Sequence, residues 1–229
     1  MTAVAGAALK RLTGTGSTGS TAFTAQGISN IIWAMATVAI LQKPLLEAFS
    51  FTFGRAKLQE WKAQELSNTA WAFATLLVMD PVIDAISDMA FQQLENFGFR
   101  HSANLAWALA TLEKTNEPLL TAMAVAAAAN ASELSPLSLA STAWACVSMK
   151  IIYFPLLDAM SELLFQSPVD DGIATMAIWS LSRLPDLDRA LLLVDSAKWR
   201  IPPLSLSALL EACEQRDLAA EQLRVLRLL

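Results

Sequence analysis

Apolar and polar positions in this chain alternate with helical rather than strand spacing, and in five places the pattern is nearly superimposable. The segments are QGISNIIWAMATV (26–38), QELSNTAWAFATL (64–76), RHSANLAWALATL (100–112), LSLASTAWACVSM (137–149) and GIATMAIWSLSRL (172–184). Apolar residues three and four apart predict one amphipathic helix in each. A second helix is predicted after each of the first four, opening on proline: PLLEAF from Pro44, PVIDAI from Pro81, PLLTAM from Pro118 and PLLDAM from Pro155. Proline suits a first helical turn, where its missing N–H has no partner in any case. Asp80 is placed to cap the second of these helices.

The five tryptophans Trp33, Trp71, Trp107, Trp144 and Trp179 recur at intervals of 38, 36, 37 and 35 residues. A period of this size is the mark of stacked repeats, each burying its apolar face only against its neighbours. The expected fold is all-α: an α-solenoid of about five and a half helix–turn–helix repeats. Its units begin near residues 26, 64, 100, 137 and 172, with a degenerate one near 203, so the array spans residues 23–229. The fifth unit is shortened. In the sixth, PLSLSALLEAC aligns with PLSLASTAWAC and puts Glu211 where tryptophan stands elsewhere. The closing RVLRLL reads as an amphipathic helix without a polar cap. The expected signature is a row of stacked tryptophans.

Composition narrows the function classes. Apolar residues are 55% of the chain and charged residues 16%, enough apolar material for a continuous core and too little charge for disorder. The net charge is −5, and a strong nucleic-acid binder usually carries a basic face. Between Trp61 and Ser182 the only cations are Lys62, Arg100, Lys114 and Lys150, against twelve acids. The most apolar window, residues 27–46, is interrupted by Ser29, Asn30, Gln42, Lys43 and Pro44, so no membrane span is expected. Residues 1–22 carry Lys10 and Arg11, are rich in Ser, Thr and Gly, and precede the first acid, Glu47. They read as a flexible leader with the composition of an organelle transit peptide.

Numbered from tryptophan, positions −7, −4, −3, 0 and +4 share one helical face. It bears Gln26, Gln64 and Arg100 at −7, then Ser29, Ser67, Ala103, Ala140 and Thr175 at −4. Asn30, Asn68, Asn104 and Ser141 follow at −3, and Thr37, Thr75, Thr111, Ser148 and Arg183 at +4. Ile28, Ile31 and Met35 mark the opposite, apolar side of the first unit. One reading makes the stripe a ligand surface, because uncharged amides and hydroxyls repeated once per unit can read unstacked bases. The other is structural: small residues let helices approach, and tryptophan is the large core residue of each unit. The tryptophans fit the core reading; the Ser–Asn pairs leave both open, since a mid-helix asparagine needs a partner for its amide.

Little else carries chemistry. The recurring alanines read as packing residues, His101 as an exposed or capping group, and Cys146 and Cys213 as small core residues. There is no Gly-rich phosphate loop, no metal-ligand spacing and, with one histidine, no catalytic triad. No enzyme activity, metal or cofactor is expected.

The segments QELSNTAWAFATL and RHSANLAWALATL, each followed by a helix opening on proline, resemble octotricopeptide-type repeats of organellar proteins in algae and alveolates. They are also similar to helical repeats of proteins bearing RAP or FAST-kinase-like domains, and to helical-repeat subunits of RNA-editing substrate-binding complexes. The resemblance covers about residues 26–193. It implies a non-enzymatic RNA-binding solenoid of a mitochondrion or plastid, acting in RNA processing, stability, editing or translation within ribonucleoprotein complexes. The RNA-facing candidates are then Gln26, Ser29, Asn30, Gln64, Ser67, Asn68, Asn104, Ser141 and Thr175, with Arg100 and Arg183 on phosphate. No RAP-like domain follows the repeats. The alternative is a protein-interaction scaffold of such a complex without RNA contact.

Overall fold

The computed structural model describes residues 6–7, 24–52, 58–166, 169–197 and 201–228. Most of the expected leader, and Pro168, lie outside them. The described residues are all-helical, without strands. The elements are α1 (Ala25–Thr37), α2 (Lys43–Thr52), α3 (Ala63–Thr75), α4 (Val82–Gln92), α5 (Phe99–Thr111) and α6 (Glu117–Ala129). Then come α7 (Pro136–Ser148), α8 (Phe154–Gln166), α9 (Asp171–Ser182), α10 (Asp188–Ser196), α11 (Pro203–Gln215) and α12 (Ala219–Leu226). Every tryptophan-bearing segment is a helix, and Pro44, Pro118 and Pro155 are each the second residue of the helix they open. Pro81 sits one residue before α4, whose first N–H, on Val82, is taken by Asp80 Oδ1 at 2.8 Å.

The chain divides into two compact units, Met1–Leu119 and Leu120–Leu229. In the first, α3 packs on α1 and on α5; in the second, α9 packs on α7 and on α11. Neighbouring first helices therefore lie against one another in both, a solenoid-like layering.

The core is made by positions −5, −1 and +2 from tryptophan. In α1 these are Ile28, Ile32 and Met35, in α3 Leu66, Ala70 and Phe73, in α9 Ala174, Ile178 and Leu181, all buried. Second helices supply Leu45, Leu46, Phe49, Ile83, Ile86, Leu156 and Leu157. The core reading of the repeat tryptophans is corrected. Trp33 is 44% exposed, and Trp71, Trp107, Trp144 and Trp179 are half-buried. At 100° per residue the tryptophan stands about 130° around the helix from the core positions. Positions −4 and +1, on the flanks, are occupied by small side chains, and Ser29, Ser67, Ala72, Ala103, Ala108 and Ala140 are all buried.

A feature invisible in residue type recurs after the first helices. Ala39, Leu77, Glu113, Lys150 and Asp217 have φ of 53°, 52°, 53°, 63° and 57°, each six residues beyond the tryptophan or its Glu211 equivalent. Each is flanked by the same pair of bonds; at α3, Leu77 N donates to Ala74 O at 3.0 Å and Val78 N to Phe73 O at 2.9 Å. This is a Schellman ending, which glycine normally provides. The fifth unit has Pro185 at that place, whose ring forbids positive φ. There Arg216 takes over, donating to Ser182 O at 3.2 Å and Leu184 O at 2.6 Å.

Leu77, 73% exposed, has little packing to lose. Leu77→Gly should relieve about 1–2 kcal/mol of left-handed strain against about 0.5–1 kcal/mol of added chain entropy. The expected result in urea denaturation is a gain of up to about 1 kcal/mol; a loss would mean the turn is unstrained.

Candidate functional site

In the Met1–Leu119 unit the face at −7, −3, 0 and +4 carries Gln26, Asn30, Trp33 and Thr37 from α1. It carries Gln64, Asn68, Trp71 and Thr75 from α3, and Arg100, Asn104, Trp107 and Thr111 from α5. Gln26, Asn30, Gln64 and Arg100 are exposed; Asn68 and Asn104 are half-buried. Among the described residues none of the three asparagine side chains has a hydrogen-bond partner, so the recurring amides are not explained by helix packing. The Trp33 and Trp71 ring centroids lie 6.4 Å apart at 35°, within the range of aromatic pairing.

The serines part from the asparagines. Ser29 and Ser67 are buried, their hydroxyls donating to Gln26 O at 3.1 Å and Gln64 O at 3.2 Å. Position −4 lies about 40° toward the flank, on the side of the helix where neighbours pack. The ligand-facing reading of these two serines is corrected to a packing one. Ser141 is buried as well, its hydroxyl 3.8 Å from Met176 Sδ. Thr175 is half-buried and donates to Asp171 O at 2.7 Å. The exposed polar row therefore comes down to glutamine, asparagine and arginine, with Thr37 and Thr75 at its end.

Charge is distributed in a way that net charge conceals. Helices α1, α3 and α5 hold a single acid, Glu65, whose carboxylate turns back to accept from Lys62 N–H at 2.7 Å. Glu47, Asp84 and Asp88 sit on second helices, Asp80 and Glu113 on connectors, and Asp84 pairs with Lys114 at 2.9 Å. The face is thus polar and neutral except for Arg100. Burial, aided by the Arg100 charge, lowers the pKa of His101, which leaves that ring neutral at pH 7. A cleft of about 560 Å³ opens beside the starts of α3 and α5, lined in part by Lys62, Gln64, Gln93, Asn96 and His101. Lys62, Gln93 and Asn96 lie outside the repeated first-helix motif, so periodicity does not reveal them.

The Leu120–Leu229 unit differs. At −7, −3, 0 and +4 it has Leu137, Ser141, Trp144 and Ser148, then Gly172, Met176, Trp179 and Arg183, then Leu204, Ala208, Glu211 and Gln215. The amides at −7 and −3 are gone, the one that stands at +4, on Gln215, donates to Glu211 Oε1 at 3.0 Å, and the face is largely apolar. Trp144 and Trp179 pair at 6.1 Å and 49°. The Arg183 guanidinium lies 5.1 Å over the Trp179 ring and 3.5 Å from the Glu211 carboxylate, so its charge is already engaged.

Among the described residues no group of three or more His, Cys, Asp or Glu is placed to hold a metal ion, and no helix is long and apolar enough to cross a membrane. Cys146 and Cys213 are both buried. Burial pushes the Cys146 thiol up to about 12, so no thiolate nucleophile is available there.

No protein-family model matches this sequence, and no curated protein matches it.

Proposed function

We propose that this protein is a non-enzymatic RNA-binding helical-repeat protein, an α-solenoid of about five and a half repeats. Its RNA surface is the first-helix face of the Met1–Leu119 unit. One observation carries the reading: Asn30, Asn68 and Asn104, one per repeat, hold out amides with no hydrogen-bond partner among the described residues, beside Trp33, Trp71 and Trp107. Mid-helix asparagine has no propensity reason to recur, and amides open to solvent and not engaged within the described residues are available to a ligand. Side chains of this kind, repeated once per helical unit, read the edges of splayed single-stranded bases. Tryptophan rings offer them a stacking surface of any sequence.

The charge arrangement suits a weak electrostatic component. With Arg100 and Lys62 as the phosphate contacts, log K should fall against log salt with a slope of about −1.4. Affinity then depends on bases more than on backbone. The resemblance of the repeats to octotricopeptide-type sequences supports a role in RNA processing, stability, editing or translation. The acid-poor first 22 residues support a mitochondrial or plastid address.

The test is fluorescence anisotropy with labelled single-stranded organellar RNA across a salt series. The variant joining Asn30→Ala, Asn68→Ala and Asn104→Ala should keep its far-UV circular dichroism and lose at least tenfold in affinity, about 1.4 kcal/mol. Absence of binding by the parent protein at low salt, or unchanged affinity in the triple variant, would remove the proposal. The second reading, a protein-interaction scaffold of a ribonucleoprotein complex, is favoured by one observation, the apolar face of the Leu120–Leu229 unit.

A further inference from the structure

The Leu120–Leu229 unit contains a cleft of about 410 Å³ whose walls include Trp144, Met176, Trp179, Leu204, Ala208 and Glu211. Glu211 is the only charged residue that lines it, and its side chain is 53% exposed. An aromatic pair facing a lone carboxylate is the chemistry that holds a cation with an apolar stem. The ring faces attract the positive charge, and the aliphatic stem covers apolar surface that water solvates poorly. The chain itself shows the preference: Arg183, outside the cleft lining, lays its guanidinium over Trp179 and reaches the same carboxylate. That contact is long, at 3.5 Å, and exposed, so it holds Glu211 Oε2 weakly, while Oε1 accepts from the exposed Gln215 side chain at 3.0 Å; an incoming guanidinium displaces both.

We infer that this cleft is a docking site for an arginine side chain presented by a protein partner. The guanidinium stacks on the tryptophan pair and bonds to Glu211, with the stem against Met176 and Leu204. Arginine fits better than lysine because a planar guanidinium can stack and make two parallel bonds to a carboxylate at once. Arg183 is then an internal competitor for Glu211. The inference does not rest on the RNA reading, which concerns the other unit.

The experiment is a titration of the full chain with N-acetyl-arginine amide at 150 mM salt, followed by ¹⁵N NMR of the tryptophan indole N–H signals. Trp144 and Trp179 are assigned through their phenylalanine variants. The expected result is saturable movement of these two signals with Trp33 and Trp71 unmoved. Glu211→Gln should weaken binding about fivefold, the effect of one exposed charge pair, and Arg183→Ala should tighten it about twofold by freeing the carboxylate. N-acetyl-norleucine amide should bind more weakly than the arginine probe. Four results would each overturn the inference: no movement of the two signals, equal binding of norleucine, weaker binding in Arg183→Ala, or preferential binding of uridine monophosphate. The last would return Arg183 to the role of a phosphate contact.

Discussion

Phe73→Ala is expected to lower the unfolding free energy of the Met1–Leu119 unit by about 3–5 kcal/mol, the largest effect of any single change considered. Phe73 is completely buried in α3 and its ring centroid stands 6.0 Å from that of Phe49 on α2. Truncation leaves a cavity where a first helix meets the second helix of the preceding repeat. Thin helical layers have little room to collapse around such a cavity, which keeps the cost near the upper end. Trp33→Ala removes a larger side chain and should cost about 1 kcal/mol or less, because the ring is nearly half exposed and contributes mainly its pairing with Trp71. Urea denaturation followed by far-UV circular dichroism separates the two. Equal costs would mean that the tryptophan row is structural after all, and the surface would lose its reason for being aromatic.

That comparison turns on what periodicity can and cannot say. Period and proline placement located the helices well: the segment 64–76 is α3 within a residue at each end, and α11 appears where only a degenerate repeat was legible. A helical wheel from sequence, however, has no absolute zero. Position −4 and position −3 differ by one residue, yet Ser67 is buried against a neighbour while Asn68 reaches the surface. Size misled in the same way. Tryptophan is the largest residue of each repeat and so reads as core in sequence, whereas the layered array buries aliphatic residues, Phe49 and Phe73, and small flanks. The left-handed residues after each first helix escaped because alanine, leucine, glutamate, lysine and aspartate fill the place where glycine is the usual signal.

Net charge misled for a related reason. A sum over the chain weighs acids against RNA regardless of where they stand. Here the helices of the amide face carry one acid, already bonded to backbone, while the second helices and connectors carry the rest of the unit's described acids. At 0.15 M salt the screening length is about 8 Å, comparable to the distance between packed helices. Acids on the far layer are therefore muted at the first-helix surface. Sequence shows the number of charges; only packing shows which layer they occupy.

The same layering sets the second large expectation. A variant carrying both Trp33→Ala and Trp71→Ala should lose about 30-fold or more in affinity for single-stranded RNA, since each stacked base is worth about 1–3 kcal/mol. Its salt slope should stay where it was, because no phosphate contact is touched. Arg100→Gln should do the reverse, a smaller loss in affinity with a slope shallower by about 0.7. Trp33 is exposed and Trp71 half-buried, both away from the core positions, so neither change should cost the fold, and circular dichroism with the urea midpoint checks that directly. Anisotropy at three salt concentrations resolves the slope. If the tryptophan variant binds as the parent does while Arg100→Gln abolishes binding, the contact is electrostatic and base stacking plays no part. A surface whose phosphate contacts are only Arg100 and Lys62 is a poor candidate for that outcome, which makes the two variants a sharp division between the readings.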